Sequence, residues 1–167
     1  MTASSSDPSA PVLVPVDFSP GSAAALGWAA RFAELGRLPL VVLHVVHDPG
    51  AAPGSYSTAA TTDDLRPHDQ VAREQLEAFL DRCRQEQPGL AALAAPGLEL
   101  AVGLPANRIL EVAERIGAGH IVMGSRGRTG LSHLLLGSKA ERVVQLSPIP
   151  VTIVKAGTPA AEGQELP

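Results

Sequence analysis

The residues best suited to chemistry form one polar, glycine-rich segment, Gly124 to Gly130, which follows a short apolar run. Glycine has no Cβ, so backbone N–H groups in such a segment can approach an anion closely. Arg126 and Arg128 place positive charge there, although loop arginines are more commonly solvated surface charges. Lys139 follows at a predicted helix start, where a cation is mildly unfavourable and an anion nearby is favoured. The segment therefore predicts an anion site.

A second feature strengthens the prediction of a phosphate site. Gly137 interrupts the helical pattern after Leu131, and Ser138 to Glu141 have the form of a capping box with Ser138 as the N-cap. A new helix that begins here would offer free N–H groups and the positive end of its dipole to a phosphate. The P-loop pattern is absent because the interval from Gly130 to Gly137 is too long, and GxGxxG and GxSxG are absent as well. These absences argue against a P-loop NTPase, a Rossmann dehydrogenase and an α/β-hydrolase.

Aliphatic runs alternate with helical periodicity around this segment, and the order predicts an open α/β fold with a mostly parallel sheet. The predicted strands cover 11–16, 38–46, 98–102, 120–123 and 151–154, and the first two predicted helices cover 19–35, ended by Gly36, and 63–87. A long loop is predicted over 47–62. In such sheets ligands bind outside the carboxyl ends of the strands, at the point where the strand order reverses. The expected site therefore involves Asp17, His44 to His47, Gly103 and the segment that begins at Gly124.

Composition limits the function classes. The 167 residues fit one domain, and with 45% apolar and 18% charged residues a folded core is expected. A net charge of −4 and 3% aromatic residues argue against binding to nucleic acid or to an anionic membrane. No secretory signal is visible, so a cytoplasmic protein is expected. The ends, residues 1–10 and 157–167, have the composition of disordered tails, and Cys83 is expected to be a packed thiol.

The spacing Gly124-x2-Gly127-x9-Gly137-Ser138 resembles the G-x2-G-x9-G-[S/T] motif of the ATP-binding branch of the universal stress protein family. The segments Val14–Ser19, Leu43–Val45 and Ser147–Val151 also resemble that family. The resemblance covers about residues 11–156, which are predicted to form the universal stress protein domain. It implies a Rossmann-like fold, an open five-stranded parallel sheet of order 3-2-1-4-5 with helices on both faces.

The resemblance also implies roles for individual residues. Asp17 and Gly124 match residues that contact the ribose, and Pro15, Val45 and Met123 match residues around the adenine, whereas the triphosphate cradle is matched by Gly127, Gly137 and Ser138. The implied ligand is ATP, with AMP or another adenine nucleotide as alternatives, accompanied by Mg²⁺ or Mn²⁺ at the phosphates. Family members usually form homodimers through the last strand, here Val151 to Val154.

The implied function is nucleotide-dependent signalling or regulation in a stress response, acting as a dimer on a protein partner that the sequence does not identify. A slow ATPase or nucleotidyl-transfer enzyme is one alternative, although no general base is evident beside the predicted phosphate site. A partner-binding stress protein with a vestigial nucleotide site is another. At single residues, Asp17 could serve only as a helix cap, the glycines could serve only to shape a turn, and the Ser138 hydroxyl could serve either the helix or the phosphate.

Overall fold

The computed structural model describes residues 9–46, 66–126 and 136–156, and for residues 66–69 it describes the backbone only. Its strands are β1 (Val12–Val16), β2 (Leu40–Val46), β3 (Gly97–Val102), β4 (His120–Gly124) and β5 (Val151–Val154). Its helices are α1 (Pro20–Gly36), α2 (Arg66–Glu86), α3 (Pro105–Arg115) and α4 (Ser138–Leu146), with a 3₁₀ turn at Ala91–Leu93. The alternation of strand and helix predicted from the sequence is confirmed.

The five strands form one parallel sheet of order β3-β2-β1-β4-β5, which confirms the predicted topology. The chain first builds outward from β1 to β3 and then crosses back to place β4 on the other side of β1. The register pairs Leu13 with Val41 on one side and with Ile121 on the other. The strand order therefore reverses between β1 and β4, where a crevice forms at the carboxyl ends of the strands.

Helices cover both faces of the sheet, as the continuous apolar runs predicted. Successive strand residues point to opposite faces, so Val12 and Val14 pack in the core beneath α1 and α2. Leu13 and Ile121 pack in the second core, beneath α3 and α4. All four side chains are fully buried, so water is excluded from both faces at the centre of the sheet. Polar groups can be accommodated at the carboxyl ends of the strands.

Helix α1 starts as predicted but ends differently. The Ser19 hydroxyl accepts a hydrogen bond from the backbone N–H of Ser22 at 3.2 Å, which makes Ser19 the N-cap. The predicted end at Gly36 is one residue early, because Arg37 is the residue that adopts the left-handed conformation, with φ of 52°. The next N–H, that of Leu38, donates to Ala33 O at 2.8 Å. Leu38 thus closes the helix instead of starting β2, as the strand prediction had it.

The predicted capping box at α4 is wrong in its register. Gly137 is the N-cap, with extended backbone angles of −74° and 149°, and as a glycine it brings no side chain to cap the helix. The first helical hydrogen bond runs from the N–H of Glu141 to Gly137 O at 2.9 Å. Ser138 is therefore already inside the first turn, where its hydroxyl cannot serve as the cap, and the N–H groups of that turn have no acceptor in the described part of the chain.

Several remaining predictions can be placed. Cys83 is 1% exposed, as expected for a packed thiol, and its burial raises the pKa of the thiol. His44 Nδ1 lies 2.9 Å from Val16 O, which agrees with a hydrogen-bonded histidine of the sheet. None of the helices in the described part of the chain has the length and hydropathy that a membrane span requires. The predicted loop at 47–62, the helix start near Leu131, Gly127 and most of both predicted tails lie outside the described residues.

Candidate functional site

A cleft of about 180 Å³ lies at the carboxyl ends of the strands where the strand order reverses. Typical ligand pockets measure roughly 300–1,000 Å³, so the described walls enclose part of the space that a whole nucleotide needs. Seven of the eight residues predicted for the site line this cleft, and the eighth, Gly127, lies outside the described residues. The seven are Pro15, Asp17, Val45, Met123, Gly124, Gly137 and Ser138.

Strand alternation explains why these side chains meet. Pro15 and Asp17 are two residues apart at the end of β1 and therefore face the same side, and Met123 on β4 belongs to that side as well. Val45 follows Leu43, the register partner of Pro15, by two residues. All four face the α3 and α4 layer, so the cleft is bounded by an apolar wall below and by the starts of those two helices above.

Asp17 holds the loop that joins β1 to α1. Its Oδ1 accepts hydrogen bonds from Ser19 N at 3.2 Å and from Ser19 Oγ at 2.5 Å. The backbone N–H of Asp17 donates to Ser22 Oγ at 3.4 Å, and that hydroxyl donates to Ser19 O at 2.9 Å. The helix cap is therefore Ser19, and Asp17 is the carboxylate that orients the capping serine while lining the cleft.

Phe18 is a residue of this loop that sequence reasoning missed. Its φ is 65°, a left-handed conformation that is uncommon for a bulky residue and costs about 1–3 kcal/mol. The ring stacks on His44 with centroids 4.2 Å apart and tilts against Phe79 at 5.4 Å. These contacts hold the strained turn that directs Asp17 to the cleft. A phenylalanine carries no sequence signal for a positive φ, so only the fold reveals it.

The two described glycines of the motif meet different demands. A Cβ at Gly124 would lie 2.9 Å from the carbonyl carbon and oxygen of Gly21 and 3.3 Å from Ser22 N, so β4 could not approach α1 with any side chain here. A Cβ at Gly137 would lie 3.4 Å from Ser125 O, an ordinary contact distance. Gly124 is thus required by packing within the protein, whereas the described residues do not require glycine at 137.

The start of α4 gives the cleft its electrostatic character. Ser138, Lys139 and Ala140 all line the cleft, and no side chain among the described residues accepts a hydrogen bond from their N–H groups. The N–H of Gly137 is already used, since it donates to Ser125 O at 2.8 Å. Unsatisfied N–H groups at a helix start carry a partial positive charge, and Arg126 adds a cation to the same wall. An anionic group is the natural complement of this end of the cleft.

Ser22 and Ser125 also line the cleft, and neither was predicted as a site residue. Both are buried, with 4% and 5% of their surface exposed. Ser125 continues β4, because its N–H donates to Val154 O at 2.9 Å. A sequence signal for Ser125 existed, since it lies two residues after Met123 and must face the same side of the sheet.

A metal site built by the protein alone does not fit the described residues, which contain no group of three His, Cys, Asp or Glu side chains able to hold an ion. Asp17 is the carboxylate among the residues that line the cleft. Mg²⁺ usually keeps several waters and binds through one or two carboxylates together with substrate phosphates. The donor set of the described residues thus fits only an ion that would enter with a phosphate ligand and be held chiefly by the phosphates and its own waters.

The fold and the cleft together define an open α/β protein with a crevice at the reversal point of its sheet, lined by the start of α4 and by the basic residues Arg126 and Lys139. The family model described as the universal stress protein family matches residues 9–155. The chain belongs to the universal stress protein family. Among its relatives, universal stress protein YxiE of Bacillus subtilis is 35% identical over 157 residues, an alignment that covers 86% of this chain and 97% of the relative.

Two solved structures of similar proteins carry nucleotides. A universal stress protein from Archaeoglobus fulgidus in complex with dAMP is 25% identical, with a TM-score of 0.57, and the match covers 86% of this chain and 96% of that one. A universal stress protein in complex with cAMP is 25% identical, with a TM-score of 0.58, covering 89% of this chain and 98% of that one. The family therefore contains members of this fold that bind adenine nucleotides.

Proposed function

We propose that this protein binds an adenine nucleotide, ATP, in the cleft and acts as a nucleotide-dependent regulatory module in a stress response. The observation that carries the proposal is the start of α4, whose glycine N-cap brings no capping side chain and which presents Ser138 to Ala140 to a cleft that also has an apolar wall. The complexes of relatives with dAMP and cAMP support an adenine nucleotide as the ligand.

The chemistry of the walls fits the parts of a nucleotide. Pro15, Val45 and Met123 offer an apolar surface to the adenine, and the carboxylate of Asp17 accepts hydrogen bonds from ribose hydroxyls beside the backbone of Gly124. The phosphates then extend towards the start of α4, where Gly137 and Ser138 lie, and Gly127, the middle glycine of the motif, is proposed to complete the cradle. Main-chain N–H groups at a helix start are a general solution for phosphate binding.

A divalent ion, Mg²⁺ or Mn²⁺, is proposed to enter with the phosphates. Such an ion supplies positive charge that neutralises neighbouring phosphate oxygens. The ion is therefore expected to strengthen ATP binding and to have little effect on AMP, which can be tested by titrating both nucleotides with and without EDTA.

We also propose that the protein forms a homodimer through β5. This strand ends the sheet, its residues Val151–Val154 are all partly exposed, and no described strand pairs with its outer edge. An open aliphatic edge favours pairing with a second strand. Ligand binding close to Gly124, the register partner of Val154, would reach the dimer edge through the β4–β5 pairing and could change the surface offered to a protein partner.

Extraction of the purified protein tests the nucleotide site directly. Heat denaturation followed by chromatography of the supernatant should release adenine nucleotide from a working site and identify it as ATP, AMP or a cyclic form. Calorimetric titration of the emptied protein then measures each affinity. Absence of adenine nucleotide in the extract, together with no heat of binding for ATP, AMP and cAMP, would show a vestigial site and contradict the proposal.

Gly137→Asp gives a sharper test of where the phosphates bind. Aspartate is a favourable N-cap, so the variant should fold at least as well as the wild-type protein. The carboxylate of the new aspartate accepts hydrogen bonds from the N–H groups of α4 and repels phosphate. ATP binding should therefore be lost, and adenosine binding should be weakened less. Gly89→Asp is the matched control: it adds the same charge at a position with nothing within 4 Å of the new Cβ. Full ATP binding by Gly137→Asp would exclude this end of the cleft as the phosphate site.

An enzymatic activity is the remaining alternative and has its own signature. Sustained release of ADP or AMP from ATP, abolished by Asp17→Ala, would favour a slow ATPase or nucleotidyl transferase. A regulatory module is expected instead to return bound ATP unchanged after incubation for many binding lifetimes. Chromatography of the incubation mixture separates these outcomes.

A further inference from the structure

The side chain of His44 contacts the residue before Asp17 and the residue after it. Its Nδ1 lies 2.9 Å from Val16 O. A carbonyl oxygen can only accept a hydrogen bond, so Nδ1 carries the proton and donates it. The ring of His44 also stacks on Phe18, with centroids 4.2 Å apart and an interplanar angle of 24°. One side chain of β2 therefore holds both neighbours of Asp17.

These contacts lie on the face of the sheet that is turned away from the cleft. Val42 packs in the core beneath α1 and α2, and His44, two residues later, faces the same side. Phe18 packs against that core as well. Asp17 lines the cleft, whereas Phe18 and His44 are not among the described residues that do so. His44 is therefore placed to act on a ligand through Asp17 and not by touching it.

The turn that carries Asp17 depends on support from outside the loop. Phe18 has φ of 65°, which is uncommon for a bulky residue, so an unsupported turn favours other backbone angles. Such a change rotates the peptide group after Asp17 and alters where its carboxylate points. The hydrogen bonds from Ser19 to Asp17 tie the loop to α1, and His44 ties it to β2. Replacement of His44 removes the tie to the sheet.

We propose that His44 is a positioning residue for sugar recognition. By holding Val16 and Phe18, it keeps Asp17 where the carboxylate accepts hydrogen bonds from the ribose hydroxyls. This role rests on the proposed nucleotide site and goes beyond it, because it makes a residue outside the cleft responsible for the preference for a hydroxylated sugar. The preference is measured as the ratio of the affinities for ATP and for 2′,3′-dideoxy-ATP, which lacks both hydroxyls. A general loss of stability lowers both affinities alike and does not change this ratio.

Calorimetric titration of the two nucleotides gives the ratio for each variant. A hydrogen bond to a charged group corresponds to about a tenfold change in affinity or more, so the wild-type protein should prefer ATP by about tenfold. His44→Leu removes both the donor and the stacked ring. The ratio in this variant should fall to about twofold.

His120→Leu is the matched control. His120 is also a partly buried histidine of the sheet, with Nε2 2.7 Å from Thr152 Oγ1 and its ring 5.2 Å from that of Phe32. It begins β4, at the end of the sheet opposite the cleft. His120→Leu should therefore lower the melting temperature and keep the wild-type ratio.

His44→Phe separates the stacked ring from the hydrogen bond. Phenylalanine keeps a ring that can stack on Phe18 but has no donor for Val16 O. The ratio should lie between those of the wild-type protein and His44→Leu. A lower ratio in His44→Phe than in His44→Leu would contradict the role given to the stacked ring.

Asp17→Ala tests whether His44 acts through the carboxylate. This variant should bind ATP and the dideoxy analogue about equally, because the acceptor for the ribose hydroxyls is gone. Two residues that act through one contact are not additive. Adding His44→Leu to Asp17→Ala should therefore leave the affinity for ATP unchanged. A further clear loss in the double variant would refute the action through Asp17.

The outcomes separate the role of His44 from the proposed function. If ATP binds, but without preference over the dideoxy analogue or with a preference that His44→Leu leaves unchanged, the positioning role is refuted and the proposed function stands. A preference lost equally in His120→Leu would also refute the role, since lower stability would then explain the loss. No binding of either nucleotide to the wild-type protein would refute both. A preference lost in His44→Leu and kept in His120→Leu supports the role.

Discussion

Replacing Gly124 by alanine tests whether this motif glycine is required by packing. The new Cβ would lie 2.9 Å from Gly21 C and O and 3.3 Å from Ser22 N, all of them backbone atoms of the first turn of α1. Backbone cannot rotate away as a flexible side chain can, so β4 or α1 must shift. Overpacking of this kind costs about 1–3 kcal/mol, and for a domain of this size each kcal/mol lowers the melting temperature by about 2–4 °C.

The assay is thermal unfolding of the ligand-free protein followed by circular dichroism, combined with urea denaturation at one temperature. We expect Gly124→Ala to lower the melting temperature by several degrees, and Gly89→Ala, whose Cβ meets nothing within 4 Å, to change it little. Because no ligand is present, the loss would measure packing alone. An unchanged melting temperature in Gly124→Ala would refute the claim that the approach of β4 to α1 requires glycine.

Three further predictions concern other parts of the fold. Arg37→Gly should stabilise the protein by about 0.5–1 kcal/mol in urea denaturation, because Arg37 holds φ of 52° at the end of α1; a loss of stability would contradict this. Burial lowers the pKa of His120, so the unfolded chain binds the proton more readily and the free energy of unfolding should fall as pH drops below about 6.5. His120→Gln should make this fall with pH shallower. An unaltered fall in the variant would show that another group causes it. The wild-type protein should sediment at twice 17.2 kDa, and Thr152→Lys, unlike the control Thr152→Val, should shift it towards monomer by placing charge on the edge strand; a monomeric wild-type protein would contradict the dimer.

The sequence carried enough information to predict the layers and the position of the cleft. Buried parallel strands require continuous apolar runs, such as Val12 to Val16, and these runs are visible without any structure. The ends of the runs at Asp17 and Gly124 then mark where a ligand can meet polar groups. Local pattern and global fold agree here, because a strand that is covered by helices on both faces has to be apolar along its length.

Helix ends were less predictable, since they depend on which residue takes the first or last hydrogen bond. Gly36 was the natural candidate for the left-handed residue of α1, yet Arg37 takes that conformation because the N–H of Leu38 reaches Ala33 O. At α4 the Ser138 capping box has the right residues one position too late, since Gly137 already accepts the first helical hydrogen bond. Propensity favours a residue type at a cap, but packing of the flanking segment decides the register.

The turn after β1 could not be predicted from sequence at all. The left-handed conformation of Phe18 is stabilised by stacking on His44, a residue 26 positions further along the chain. Such contacts exist only once β2 has paired with β1. The sequence therefore predicts that Asp17 lies near the site, whereas its orientation by Ser19 and the strained turn depend on tertiary structure.

The contrast between Gly124 and Gly137 bears on how far a motif supports a function. Packing against α1 requires Gly124, so the presence of this glycine is explained by the fold and does not by itself indicate a ligand. Packing among the described residues does not require Gly137, whose backbone angles suit any residue and whose Cβ would have room. An alanine there would cost the fold only what alanine loses against glycine as the N-cap of α4, about 1 kcal/mol. If Gly137→Ala loses more free energy of ATP binding than free energy of unfolding, this glycine serves the phosphate. The opposite result would show that it serves the fold.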